Sequence, residues 1–197
     1  TLTVGIYDPL NALGGATGRK SQPGFHGKLA YKAELSGAKV YLSSAFITQQ
    51  QRDDFSEGDG DDYRSYGVDV GGKVNIADLE LGGWYYYGKG LGTTALFLLG
   101  SDGNGGRRGS NGYLAQATYK IDAIKLGVNY GTSRLNGADG ENATGLVRSN
   151  SKITGGVYYS LTKNLLLLTE VTSVTAKAHG GGKNEALNFN IGTFLSF

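Results

Sequence analysis

The chain has no cysteine and no methionine, only two prolines and two histidines, and no long apolar run. Without cysteine, neither a disulfide nor a thiolate metal site can form. The longest apolar runs, residues 95–99 and 165–168, fall far short of the ~18 residues that a membrane-spanning helix needs. A net charge of +2 is too balanced to suggest a nucleic-acid partner. Lacking an initiator methionine and a signal peptide, the chain reads as one that begins after processing or as a piece of something longer.

What the chain does have is 34 glycines, 13 tyrosines and a persistent alternation of side-chain character. In residues 186–197, Leu187, Phe189, Ile191, Thr193, Leu195 and Phe197 fall on one parity, and Asn188, Asn190, Gly192 and Ser196 on the other. That period of two is a strand with one apolar and one polar face. The pattern recurs about ten times. Leu2, Val4 and Ile6 alternate in the first segment, and Leu126, Val128 and Tyr130 oppose Lys125 and Asn129 in the seventh. Tight turns are expected after strands two, four, six and eight, and longer loops after one, three, five, seven and nine, with all turns at one end and all loops at the other. Abundant Gly and Tyr with little Pro suits long, closely paired antiparallel strands.

Ten such strands leave one continuous apolar face, and no helical pattern is available to cover it. A two-layer sandwich is the alternative to lipid. Three features favour lipid. The strands are long, about 9–12 residues, against about six for soluble proteins. Tyr66, Tyr87, Tyr113 and Tyr130 lie near the loop ends of the apolar face, and Tyr119 and Tyr159 near its turn end, as an aromatic girdle at the headgroups would. The opposite face carries Lys28, Lys32, Lys73, Lys120, Lys125 and Lys152 with Glu34, Asp69, Glu80 and Glu170, charges that a dry core would not hold unpaired. The expected fold is therefore all-β, an antiparallel up-and-down transmembrane β-barrel forming a single domain over residues 1–197. Its charged face would line a pore with a mildly basic tilt, or pair internally with no bearing on selectivity.

Several stretches carry a family resemblance: PGFHGKLAY (residues 23–31), VGGK (70–73), YYYGKGLGTTALFLLG (85–100), GYLAQATYK (112–120), IKLGVNY (124–130) and NIGTFLSF (190–197). Together they resemble the carboxy-terminal ten strands of gamma-proteobacterial general porins. The resemblance implies a sixteen-stranded barrel in the bacterial outer membrane, with a periplasmic carboxy-terminus, extracellular long loops and a homotrimeric assembly. It also implies passive passage of small hydrophilic solutes and ions, and a terminal Phe197 read by the barrel-assembly machinery. Membrane lipid and lipopolysaccharide would be its surroundings. The departure is size: ten strands stand where that family has sixteen, so the chain is either a fragment or a small complete barrel with a structural or adhesive role.

Chemical sites are few. Asp53, Asp54, Glu57, Asp59, Asp61 and Asp62 cluster in one loop, but their spacing is not that of an EF-hand, and a solvated loop is the plainer reading. His26 and His179 have no acidic neighbour in sequence, so hydrolase chemistry is not expected, and no cofactor or metal is called for. GGATGRKS (14–21) lacks the Gly-Lys pair and the strand–helix frame of a phosphate loop, and Asn142-Ala143-Thr144 is a sequon without meaning in a bacterium. The apolar stretch 93–99 sits in a long loop. It could fold inward or latch over a neighbouring subunit, with packing on the inner wall favoured.

Overall fold

A computed structural model describes residues 1–9, 22–52 and 62–197. It contains ten strands: β1 (Leu2–Tyr7), β2 (Gly24–Leu35), β3 (Ala38–Arg52), β4 (Asp62–Ile76), β5 (Leu79–Lys89), β6 (Gly109–Ile121), β7 (Ile124–Leu135), β8 (Val147–Ser160), β9 (Leu165–Ala178) and β10 (Lys183–Leu195). They form one antiparallel sheet in which every strand pairs only with its neighbours in sequence. The sheet curls enough for Lys28 of β2, Lys152 of β8 and Val174 of β9 to border one hollow. Among the described residues β1 and β10 do not touch, so these ten strands form an arc with two open edges rather than a closed ring.

The register carries one parity unbroken across the arc. Leu29 lies opposite Leu2 and Ser44; Tyr119 lies opposite Leu79 and Leu126; Val157 lies opposite Leu126 and Thr169, which in turn faces Ile191. A one-residue slip at any hairpin would turn the following strands inside out. The turns prevent it. Residues Leu35, Ile76 and Ile121 each pair with the residue three further on, leaving two-residue connections. In the first of them Ser36 and Gly37 both have positive φ (45° and 88°), the combination a type I′ turn requires.

Burial is inverted relative to a water-soluble fold. The apolar parity is open, with Leu126 43%, Val157 46% and Ile191 78% exposed, whereas Gln49 and Ser65 of the polar parity are fully buried. Two facing layers would have hidden those three apolar side chains, so the sandwich alternative is excluded. An exposed apolar belt of this extent, on strands of 11–15 residues from β2 to β10, suits hydrocarbon.

Strands overrun the expected boundaries at the loop end. The ladder of β3 and β4 continues through Gln49, Gln50 and Gln51 to Arg52, because glutamines at a sheet's wet end keep their backbone pairing once the strands are in register. The connection from β9 to β10 is also shorter than the loop expected there. It spans residues 179–182, since the ladder runs out to Lys183 opposite Lys177 and Gly181 takes up positive φ (91°). The acidic residues Asp53, Asp54, Glu57, Asp59 and Asp61 and the segment 14–21 lie outside the described residues; Asp62 opens β4.

Candidate functional site

All ten charged residues singled out in the sequence lie on the polar parity, which the register places on the face bordering the hollows. Most already have partners there. Lys73 Nζ lies 2.7 Å from Glu80 Oε2, which ties β4 to β5. Glu34 meets the exposed Lys39 at 3.5 Å across the first hairpin. Glu170 accepts a 2.6 Å hydrogen bond from the Tyr158 hydroxyl, and the Lys125 ammonium lies 5.2 Å from the centre of the same ring. Lys28 Nζ lies over Tyr41 at 5.9 Å. Asp69 borders the same hollow as Lys28 and Lys152. Among the described residues, Lys32, Lys120 and Lys152 have no carboxylate within ion-pair distance.

The six tyrosines of the other parity lie on the apolar face. Tyr113 and Tyr130 are in tilted contact, ring centroids 5.8 Å apart, and the Arg107 guanidinium lies over Tyr66 at 5.8 Å. Toward the short turns, Tyr119 pairs with Leu79 and Tyr159 with Ile124.

The connection between β5 and β6, residues 90–108, folds over the polar face. Its foot is Leu91, only 6% exposed. A Cβ at Gly67 or at Gly88 would collide with the Leu91 side chain, so the two glycines make the recess in which it sits. Ser65 Oγ donates to the Gly90 carbonyl at 2.8 Å. Further along, Thr93 Oγ1 lies 2.9 Å from Ser133 Oγ, itself 2.5 Å from the Tyr86 hydroxyl, and Asn150 Nδ2 donates to Thr94 Oγ1 at 2.8 Å. Thr94, Phe97 and Leu99 are held at positive φ (71°, 66° and 61°), which side chains of that size tolerate only when surrounding contacts impose it. Of the alternatives open for the stretch 93–99, packing against the inner wall is the one found for its first two residues. Beneath the segment lies a hollow of about 970 Å³ bordered by His26, Lys28, Asp69, Tyr86, Asn150 and Lys152 among others.

The far end of the same connection is clasped to its neighbour. The almost buried Arg108 guanidinium forks onto the Glu141 carboxylate, with Nε bonds of 3.0 and 3.2 Å and a close Nη2 contact, while Nη1 donates to the Leu99 carbonyl at 3.2 Å. Glu141 also accepts from the Ala138 N–H at 2.8 Å. The Arg108 bond holds the Glu141 carboxyl below the usual carboxylate range, with the Ala138 N–H and nearby His179 acting in the same direction against partial burial. His179 Nε2 is 2.8 Å from the Leu135 carbonyl, and the N–H groups of His179 and Gly180 donate to Leu146 and Thr144. Three connections at the loop end are thus joined. His26 is on the polar face in tilted contact with Tyr7. Among the described residues no three His, Cys, Asp or Glu side chains gather as a metal site.

Arg108, Glu141 and Leu91 carried no signal in the sequence. Arg108 and Glu141 are 33 residues apart, and the seat of Leu91 is made by what two glycines lack. Filling that seat by Gly67→Val should expel Leu91 and release the segment at a cost of about 1–3 kcal/mol, the usual range for overpacking. The measurement is protease sensitivity within residues 91–108, which rises if Leu91 is the foot and stays unchanged if it is not.

A family model described as Gram-negative porin matches residues 7–179. No curated protein sequence matches the chain. Among solved structures, the outer membrane channel DcaP of Acinetobacter baumannii superposes with a TM-score of 0.79 at 19% identity, over 100% of this chain and 58% of that one. OmpT, an outer membrane protein of Vibrio cholerae solved in a trimer form, gives 0.55 at 14% identity over 99% and 64%, and its loop L8 deletion mutant 0.52 at 17% over 88% and 54%. At these identities the likeness is one of fold, and the chain spans less than two thirds of each of those structures.

Proposed function

Because the chain belongs to the Gram-negative porin family, we propose that it forms the greater part of an outer-membrane pore through which small hydrophilic solutes and ions diffuse passively. One observation carries the reading: large apolar side chains dominate the open face from β1 to β10, while lysines, carboxylates and amides border hollows on the other. Such a surface keeps water beside the charges and hydrocarbon beside the belt. Diffusion along it needs no catalytic group and no cofactor. The segment 90–108, seated on the inner wall, narrows the path.

The two open edges bear on the size of the whole. Unpaired strand edges are costly in lipid, so β1 and β10 need further strands of the same barrel, sixteen in all by family resemblance. The 58% coverage of DcaP agrees with a chain of about ten strands out of such a number. In this arrangement the short turns face the periplasm, the long loops face outward among lipopolysaccharide, three barrels associate, and the exposed Phe197 is offered to the assembly machinery.

Stepwise conductance in a planar bilayer tests the pore, and a protein that inserts without conducting overturns it. Selectivity follows from the lysines left without a carboxylate. Lys120→Glu with Lys152→Glu should move the reversal potential toward cations in a salt gradient, whereas Lys73 is already balanced by Glu80 and Lys73→Gln should move it less. An unchanged potential in the double variant would remove both lysines from the conduction path.

A further inference from the structure

On the short-turn side of the polar face lies the chain's single tryptophan. Trp84 of β5 is half-buried and stands opposite Gly71 of β4. A Cβ at Gly71 or at Gly82 would run into its ring, so the indole lies down along a glycine floor instead of standing off the sheet. Trp84 borders a second hollow, of about 780 Å³, together with Tyr41, Lys32, Lys73 and Gln116. Lys73 is neutralised by Glu80, and Lys39 at the rim by Glu34. Lys28 is drawn over the Tyr41 ring. Lys32 is left, among the described residues, with no carboxylate within ion-pair distance.

We propose that this hollow is a binding subsite for small planar anions, an aromatic ring bearing a carboxylate. The ring lies against the indole and the Tyr41 wall, the carboxylate meets the Lys32 ammonium, and the Gln116 amide, one N–H of which reaches Glu80 at 3.5 Å, has a second N–H to offer. Charge alone would serve any anion and would need no recumbent indole. Stacking alone would need no unpaired lysine. Offset aromatic stacking is worth about 0.5–1.5 kcal/mol, roughly a three- to tenfold gain in affinity. An exposed ion pair adds up to about fivefold. The inference rests on the polar face being wet, but binding there does not require conduction.

The test is a titration of the detergent-solubilised protein with sodium benzoate, sodium cyclohexanecarboxylate and benzyl alcohol, followed by Trp84 emission and identified by loss of the signal in Trp84→Leu. Benzoate should give a saturable change, with the saturated-ring acid and the neutral alcohol each at least about threefold weaker. Lys32→Gln, which keeps the reporter, should weaken benzoate about three- to fivefold. No saturable response, equal binding of cyclohexanecarboxylate, or undiminished binding in Lys32→Gln would each overturn the subsite. The Lys32→Gln and ligand arms stand even if Trp84→Leu fails to fold. Potassium chloride conductance of the same preparation is scored separately, so a non-conducting protein that binds benzoate condemns the pore and spares the subsite.

Discussion

Val128→Arg should destabilise the protein by about 2–4 kcal/mol in a lipid bilayer, the cost of an arginine near the midplane of a barrel's lipid face. Val128 sits in the row that joins Ala117 on one side to Gly155 on the other. Tyr119 and Tyr159 lie toward the turns from that row, and Tyr113 and Tyr130 toward the loops. The control is the same charge one residue along. Asn129→Arg points to the opposite face, near Glu170 and Thr154, and should cost far less. Denaturant unfolding from lipid vesicles reads the difference. Equal effects at the two positions would mean that parity does not separate hydrocarbon from water, and the membrane assignment would fall.

Glu141→Ala should release the connection between β5 and β6. It strands the Arg108 charge in an almost closed site, and breaking one partner of such a pair typically costs about 3–5 kcal/mol. The loss is local. The strands remain laddered, while amide hydrogen exchange in residues 91–108 should accelerate about a hundredfold, taking the low end of that cost because the pair keeps some exposure. If the segment narrows the pore, single-channel conductance should rise with it. Acid should do the same to the unaltered protein. Glu141 is held below the ordinary carboxylate value of 4.5, so its contribution is complete above that value and fades only as pH falls through the lowered one. The clasp is therefore weakened as pH falls below the ordinary carboxylate range, an acid step that Glu141→Gln should abolish. Unaltered exchange in Glu141→Ala would show that Leu91 and the Thr93–Ser133 contact hold the segment without the clasp.

The sheet was legible because its signal is periodic and local. One look at Lys125, Leu126, Gly127 and Val128 assigns the faces of β7, and by the same period the charged and tyrosine candidates fall on opposite parities of the sheet. Strand ends are less legible, since three consecutive glutamines, Gln49–Gln51, carry no alternation of their own and pair because β4 lies alongside. The inward segment was read as apolar, but its seat was not, because a recess made by Gly67 and Gly88 leaves no mark in the sequence. The Arg108–Glu141 clasp was invisible for another reason: two ordinary loop residues 33 positions apart meet only once the β6–β7 hairpin has set the two connections side by side. Nothing in the sequence around Trp84 announced that its indole would lie flat over Gly71 and Gly82.

That each strand touches only the strands before and after it gives the architecture an arithmetic of its own. Every hairpin completes its own ladder without waiting for a distant segment, so growth can proceed two strands at a time, and the ladders themselves demand no long loop closure. Circumference then becomes a matter of how many hairpins are strung together. A duplication or deletion of one pair lengthens or shortens the arc and leaves the remaining registers untouched.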